Sequence, residues 1–452
     1  MGETSGVPER FPLSFQHDFL RMMDRGDGTG PFGPRYVIVG GWRVHGEIDL
    51  AALRGAAADV VERHEALRTR VVLDENDPHQ VILPPVSPEL RECVLDGEAD
   101  RDEVADLFLN EIEAGEFGAG EQPLVRFLLG RFDERDAVLA FVAHHTAVDG
   151  WSAQVLVRDL VARYAARREG AADGLPAVRQ MRDYVTWQHE NADSPAVHRA
   201  REFWRENLRG GRVVAMRTDL PRSPDATFLT SWHRYTLEPE FSAATVEMAA
   251  ETRSSVFMVL LAAYLTYLRD ETGESDLVVP TFTPGRHPTW TQESVGYFFN
   301  FLPLRVDIAG CADFREVVAK TRSACVSAYT HEIPFSQIIA EAPELMNAVM
   351  EPHGAACVFQ AVQSPFTMTD EEHGGVRWTA IRRRLRSAPV GTQIPNGALW
   401  SLELDPAGDI LGKFGFNTNL FHENTITGTA DGLRRTLRET LVEPYEIRRR
   451  AA

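Results

Sequence analysis

The chain has 452 residues, of which 44% are hydrophobic and 25% charged, a composition typical of globular proteins. Its length exceeds that of one compact core and predicts two domains or two fused lobes. The formal net charge of −19 disfavours nucleic acid and anionic membranes as partners, because an acidic surface repels both.

Helices and strands are predicted to alternate along the first part of the chain. Asp49 is placed to cap a helix, because its carboxylate can accept hydrogen bonds from the first free N–H groups. The predicted elements are a helix over residues 50–61, a strand over 70–73, a hairpin with strands over 124–129 and 137–143, and a helix over 152–166.

The polar segment 167–176, with two glycines and a closing proline, is the best lobe boundary. We therefore predict an N-terminal lobe over residues 1–175 and a C-terminal lobe over residues 176–452. The second half is predicted to contain a helix over 255–271, a strand over 277–282, a hairpin over 400–404 and 410–416, and a closing helix over 424–441. With no apolar run of bilayer length and no signal core at the N-terminus, a soluble cytoplasmic protein is expected.

Residues 141–152 carry the most informative pattern. An apolar strand runs directly into His144 and His145, and a short loop then leads to Asp149, Gly150 and the start of a helix. Neighbouring residues in a strand point to opposite faces, so the two histidines are predicted to have different roles, one facing the packed interior and the other a cavity.

The same pattern argues against a metal site. Adjacent histidines on a strand cannot easily bind one ion, and neither HExxH nor another metal spacing is present. The four cysteines are scattered without a CxxC pair, and we expect them to be buried thiols.

Histidine suits proton transfer from an attacking amine or alcohol, because its ordinary pKa lies near neutrality. Asp149 could orient the loop or act on the imidazole. Gly150 allows close backbone approach, and its N–H lies near a helix N-terminus, where an oxyanion could be stabilised. The alternative is that the histidines are hydrogen-bonded core residues; two histidines followed by Asp-Gly at a strand end favour catalysis.

The segment His144 to Gly150 resembles HHxxxDG, the signature of the condensation domains of nonribosomal peptide synthetases. Other segments are similar to the family's motifs and occur in family order, from about Pro12 to Leu437. They are Leu13–Gln16 (with Phe15 where Ala is usual), Arg63–Thr69, Asp183–Trp187, Gly285-Arg286, Val295–Asn300 with Arg305, and Ile333–Phe335.

The resemblance implies an α/β fold of two chloramphenicol-acetyltransferase-like lobes, arranged as a V-shaped pseudo-dimer with a central tunnel. It implies that His145 and Gly150 are catalytic, and that His144 and Asp149 are mainly structural, with Asp149 paired to Arg286. The residues predicted to bind substrate are Trp151, Ser152, Tyr297 and Asn300. For Asn300 the alternative is a role at a strand end only.

The activity implied is that of a free-standing condensation enzyme. It would transfer an acyl group from the phosphopantetheine thioester of a separate peptidyl carrier protein to an alcohol or amine, forming an ester or amide in antibiotic biosynthesis, with no bound cofactor. Free-standing relatives include enzymes that acylate enediyne antibiotic cores. The aromatic segment Phe298–Pro303 would suit a bulky apolar acceptor, although core packing is an equal alternative.

Three other functions remain open on the sequence alone. A silent binding module that recruits tailoring enzymes would usually show HRxxxDD. A coenzyme-A-dependent plant-type acyltransferase would show DFGWG, whose nearest string here is Lys413–Asn417. An epimerisation domain would abstract an α-proton with the same histidines. The basic cluster Arg382–Arg384 with Arg386 is either a solvated edge, which we favour, or a docking surface for an acidic carrier protein.

Overall fold

A computed structural model describes residues 9–446 apart from 27, 224–228, 363–367, 383–386, 389–396 and 406–407. Its helices are α1 (Phe15–Met23), α2 (Leu50–Arg63), α3 (Arg101–Ala114), α4 (Gly150–Glu169), α5 (Met181–Asn191), α6 (Pro195–Asn207), α7 (Pro239–Thr252), α8 (Val256–Thr272), α9 (Phe314–Thr330), α10 (Phe335–Glu341), α11 (Asn347–Met350) and α12 (Glu423–Leu437). Its strands are β1 (Glu9–Pro12), β2 (Val37–His45), β3 (Thr69–Val72), β4 (His79–Ile82), β5 (Leu90–Val94), β6 (Val125–Arg131), β7 (Asp136–His144), β8 (Met216–Arg217), β9 (Thr230–Leu237), β10 (Asp276–Thr283), β11 (Asn300–Asp307), β12 (Gly354–Val362), β13 (Glu371–His373), β14 (Val376–Ala380), β15 (Ser387–Ala388), β16 (Gly397–Leu404) and β17 (Ile410–Asn417).

Two six-stranded sheets organise the molecule. The first has the order β13-β14-β2-β7-β6-β5, and the second has the order β15-β9-β17-β16-β12-β8. Strand β7 lies inside the first sheet and is buried along its whole length, as its apolar sequence requires. Strand β7 ends at His144, so the two histidines lie at the C-terminal end of a central strand.

Helices α2 and α4 pack with the first sheet around a single hydrophobic core. The Asp49 carboxylate caps α2 by accepting hydrogen bonds from the N–H groups of Ala51 and Ala52, at 2.9 and 3.0 Å. The predicted cap is therefore confirmed, and so are the predicted hairpin, now β6 and β7, and the helix that follows it.

The second half of the chain contributes to the first sheet. Strand β14 pairs antiparallel with β2, and β13 pairs with β14. The side chains of Val376 and Trp378 from β14 belong to the first hydrophobic core, as do Met181 and Val185 from α5. The predicted division into residues 1–175 and 176–452 does not include this contribution of the second half to the first sheet and its core. It stays a prediction.

The second lobe has its own core, built largely on helix α8 and strands β12, β16 and β17. No single helix in the described ranges is long and apolar enough to cross a membrane; α7 and α8 reach that length only together and meet at a bend of 105°.

Cys325 and Cys357 are buried, whereas Cys93 is exposed on strand β5, so the prediction of buried thiols is wrong for Cys93.

Candidate active site

The site forms where strand β7 ends and helix α4 begins. Two backbone hydrogen bonds stabilise the intervening turn. The N–H of His145 donates to the Tyr36 carbonyl at 2.8 Å, and within the turn the N–H of Ala147 donates to the His144 carbonyl at 2.9 Å. From helix α1, the His17 Nε2 donates to the Thr146 carbonyl at 2.8 Å. The position of His145 is thus fixed by the backbone hydrogen bonds of its turn and by the His17 side chain.

His144 is a structural residue of this turn. Its ring is fully buried; Nε2 donates to the Gly33 carbonyl at 3.1 Å, and Nδ1 lies 2.7 Å from the Thr146 hydroxyl. Burial lowers its pKa to about 4, so the ring is neutral at physiological pH. Both nitrogens are occupied, which leaves none for a substrate.

His145 has the opposite environment. It is half-buried, and its Nδ1 donates to the Val148 carbonyl at 2.8 Å, which fixes the tautomer because a carbonyl can only accept. Burial lowers the pKa of His145 below its ordinary value, so the ring is neutral near pH 7. Its Nε2 therefore carries a lone pair, and it has no hydrogen-bond partner in the described part of the chain.

Three aromatic rings surround His145 and form what we call the aromatic box. Tyr36 stacks on the imidazole with ring centroids 4.8 Å apart, while Tyr297 and Phe299 approach it at 5.7 and 5.8 Å. The hydroxyls of Tyr36 and Tyr297 are hydrogen-bonded to each other at 2.8 Å. The box holds the imidazole in an apolar environment that favours its neutral form.

Asp149 and Arg286 form the buried ion pair implied by the family resemblance, with 3.0 Å between carboxylate and guanidinium and 3% of each side chain exposed. The carboxylate also accepts from the N–H of Ser152 at 2.7 Å and of Phe298 at 3.0 Å. Asp149 therefore caps helix α4 and fixes the segment that carries Tyr297 and Phe299 of the aromatic box. Together with Ser152 and the backbone of Gly296, these residues make up the clamp.

Ser152 is fully buried within the clamp. Its hydroxyl donates to the Gly296 carbonyl at 2.8 Å and accepts from the Gly296 N–H at 3.0 Å and from Arg286 at 2.7 Å. The Trp151 indole donates to the Gln292 carbonyl at 2.9 Å. Trp151 and Ser152 therefore both contact the second half of the chain. The substrate contacts that the resemblance implied for these two residues stay a prediction.

Asn300 begins strand β11 and is buried. Its side-chain amide donates to the Ile333 carbonyl at 2.9 Å and to the Glu332 carboxylate at 3.1 Å, and it accepts from the Phe335 N–H at 3.0 Å. These bonds connect the strand end to the start of helix α10. Of the two roles left open by the sequence, the contacts favour the structural one.

Gly150 is the first residue of helix α4 and is exposed. Its φ lies outside the left-handed region, and a Cβ atom added to it would meet no atom of the described residues within 4 Å. Neither backbone conformation nor packing explains a glycine here. The close backbone approach expected of Gly150 therefore stays a prediction.

A family model described as Condensation domain matches residues 34–450. The chain belongs to the condensation-domain family. SgcC5 from Streptomyces globisporus, solved with (R)-(-)-1-(2-naphthyl)-1,2-ethanediol and sucrose, is 43% identical with a TM-score of 0.89 over 95% of this chain and 98% of its own. The predicted fold of two chloramphenicol-acetyltransferase-like lobes is confirmed, since condensation domains have this fold.

Two further relatives differ in context. Phosphinothricin tripeptide synthetase PhsC from Streptomyces viridochromogenes is 30% identical over 98% of this condensation domain, which matches 41% of PhsC. The domain spans less than half the length of the first curated relatives it matches. The X-domain from teicoplanin biosynthesis, solved in complex with OxyB, is 25% identical with a TM-score of 0.73 over 97% of this chain and 96% of its own.

Sequence reasoning missed two residues that hold this condensation-domain site together. Tyr36 stacks on His145, and His17 stacks on Tyr297 with centroids 5.5 Å apart. A single tyrosine before a strand has no spacing that distinguishes it from a core residue. His17 directly follows the motif Leu13–Gln16, and that position was a usable signal.

Proposed function

We propose that this condensation domain transfers an acyl group from a phosphopantetheine thioester on a carrier protein to an alcohol or amine, forming an ester or amide. The observation that carries the proposal is His145, a neutral imidazole with a fixed tautomer and an Nε2 lone pair that no described residue uses. A group in this state can accept a proton from an incoming nucleophile near pH 7.

The proposed reaction needs one proton acceptor. The acceptor's hydroxyl or amine hydrogen-bonds to Nε2 of His145, and its oxygen or nitrogen attacks the thioester carbonyl carbon while the proton moves to Nε2. The tetrahedral intermediate then collapses as the C–S bond breaks, and the imidazolium returns the proton to the leaving thiolate. Backbone N–H groups at the first turn of α4 are candidates to stabilise the oxyanion.

An apolar, aromatic acceptor is favoured by the residues next to the box. Aromatic side chains from α1, β11 and α10 line most of a small pocket of about 10 Å³ beside the box, so a bulky acceptor would have to displace some of these rings to enter there. Phe299 and Phe301 contact each other, and Phe301 also contacts Phe19 and Phe335, with centroids 5.3–5.8 Å apart across this cluster. The naphthyl diol in SgcC5 supports an aryl alcohol as the acceptor class, with a diol as the specific proposal.

The test supplies one loaded donor carrier protein and three acceptors: an aryl 1,2-diol, its amino-alcohol analogue and an aminoacyl carrier protein. Wild type should react with a small acceptor, and His145→Ala should lose about 10²–10⁴-fold in rate while folding normally. His198→Ala, at an exposed histidine paired with Asp193, is the matched control and should react like wild type.

Each contrary outcome points to a different function. Reaction only with the aminoacyl carrier would identify a peptide-bond former working in trans. A folded protein that turns over none of the three acceptors would favour a binding module, the alternative suggested by the likeness to an X-domain solved with OxyB.

A further inference from the structure

The hydroxyl pair of the aromatic box has one hydrogen more than it uses. Tyr36 and Tyr297 share a single hydrogen bond of 2.8 Å, which consumes one of their two O–H hydrogens. Neither hydroxyl has a second nitrogen or oxygen partner in the described ranges. One O–H donor is therefore available whichever tyrosine donates within the pair.

The available donor is buried and stays protonated. Tyr297 is 1% exposed and Tyr36 is 7% exposed, and burial raises the pKa of both hydroxyls above the ordinary tyrosine value. Leaving a buried O–H without an acceptor is costly, so native proteins rarely keep one without a use. A bound ligand could supply the missing acceptor.

The surroundings select the kind of atom that fits. The Tyr36 ring lies against His145, and Tyr297 is stacked on His17, an imidazole that burial keeps neutral. A neutral donor among uncharged rings suits a neutral oxygen, because an ionic group would lose its solvation without a compensating charge. Because Tyr36 stacks directly on His145, that oxygen would lie near the reacting one.

We propose that the Tyr36–Tyr297 pair is a specificity site that donates a hydrogen bond to the second, non-reacting hydroxyl of a diol acceptor. The inference rests on the proposed acyl transfer to an alcohol and adds which alcohols are preferred. Specificity of this kind is effective because a mono-alcohol leaves the buried O–H unpaired.

The deciding variant is Tyr36→Phe combined with Tyr297→Phe. Removing both partners of a buried hydrogen bond while keeping the ring shapes is nearly neutral for stability, so this double variant should fold. The matched control is Tyr235→Phe, which removes a partly buried hydroxyl bonded to the Trp400 indole in the second lobe.

Two measurements follow for each protein. The first is kcat/KM for an aryl 1,2-diol and for the two mono-alcohols that each lack one of its hydroxyls. The second is calorimetric affinity for the same three molecules without donor. The comparison uses the mono-alcohol that keeps the reacting hydroxyl, which is the better substrate and ligand of the two. Wild type and Tyr235→Phe should prefer the diol over it by roughly 3- to 10-fold, and the double variant should show no preference between them.

The two measurements separate this inference from the proposed function. If nothing turns over but wild type binds the diol preferentially and the double variant does not, acyl transfer fails and the hydroxyl site stands. If the double variant keeps the diol preference, or wild type has none in either measurement, the inference is overturned.

Discussion

At the scale of single residues, His145 owes its proposed reactivity to two contacts that differ in kind. The Val148 carbonyl fixes which nitrogen carries the proton, and the aromatic box lowers the pKa by excluding water. Because the folded pKa lies below its ordinary value of 6.5, the basic form should persist into mildly acidic solution.

The resulting prediction concerns the pH profile with an alcohol acceptor. For wild type, log kcat/KM should fall on the acid side with a midpoint below 6.5, since protonation of His145 removes the proton acceptor. In His145→Ala this limb should disappear together with most of the rate. A residual rate with an unchanged acid limb would show that His145 only positions the nucleophile and that another group titrates.

Gly150 provides a second prediction at this scale. Gly150→Ala should fold at least as well as wild type, because alanine loses less conformational freedom and the added Cβ meets open space. Its melting temperature should be unchanged or slightly higher, whereas kcat/KM should fall if a ligand must approach this backbone. Unchanged activity would remove the argument that the glycine serves substrate access.

At the scale of elements, the clamp connects the start of helix α4 to the loop between β10 and β11. Asp149→Ala removes a helix cap and leaves the buried Arg286 without its carboxylate. Breaking a buried pair on one side costs about 3–5 kcal/mol of unfolding free energy, because the remaining charge stays desolvated. Both the melting temperature and activity should therefore fall.

The control for this variant is an ion pair between helix α2 and the last turns of helix α4. Asp59 pairs with Arg167 near the end of α4, with 22% and 44% of the two side chains exposed. Asp59→Ala should cost about 1 kcal/mol or less, since exposed pairs contribute little. Lost activity with unchanged melting in Asp149→Ala would instead indicate that Asp149 acts directly in the chemistry.

The elements most accessible from sequence were those with a strong local pattern. Hydrophobic periodicity and an Asp cap predicted α2, and apolar runs around a turn predicted β6 and β7. The pairing of β14 with β2 was not predictable in this way, because short strands distant in sequence carry no local signal of their partner.

The candidate site was predicted as unevenly as the fold. The resemblance of the motif identified the clamp pair Asp149 and Arg286. It could not show that the Ser152 hydroxyl donates to the Gly296 carbonyl and also accepts from the Gly296 N–H. The basic cluster shows the same limit: Arg382 is largely buried and pairs with Glu403 at 3.1 Å and with Asp405 at 3.4 Å, so it is not a solvated edge. Its companions Arg383, Arg384 and Arg386 lie outside the described residues.

At the scale of the whole molecule, two ion pairs of the described residues connect the lobes with both side chains less than 10% exposed. One is the clamp, and the other joins Arg234 of β9 in the second sheet to Glu113 of α3 at 2.7 Å, with Asn110 accepting a further bond at 3.0 Å. Strands β13 and β14 belong to the first sheet, but in the sequence they lie between β12 and β16 of the second sheet. The chain therefore passes from the second sheet to the first and back. These links predict that the lobes unfold together.

Calorimetry of wild type should therefore show one cooperative transition, and Glu113→Ala should shift all of it rather than split off one lobe. Arg234 is 1% exposed, so losing its carboxylate should lower the unfolding free energy by about 3–5 kcal/mol. Glu341→Ala, which breaks the more exposed pair with Arg205 inside the second lobe, should lower it by about 1 kcal/mol or less. Two resolved transitions in wild type, or equal losses in the two variants, would mean that the Arg234–Glu113 contact does not couple the lobes.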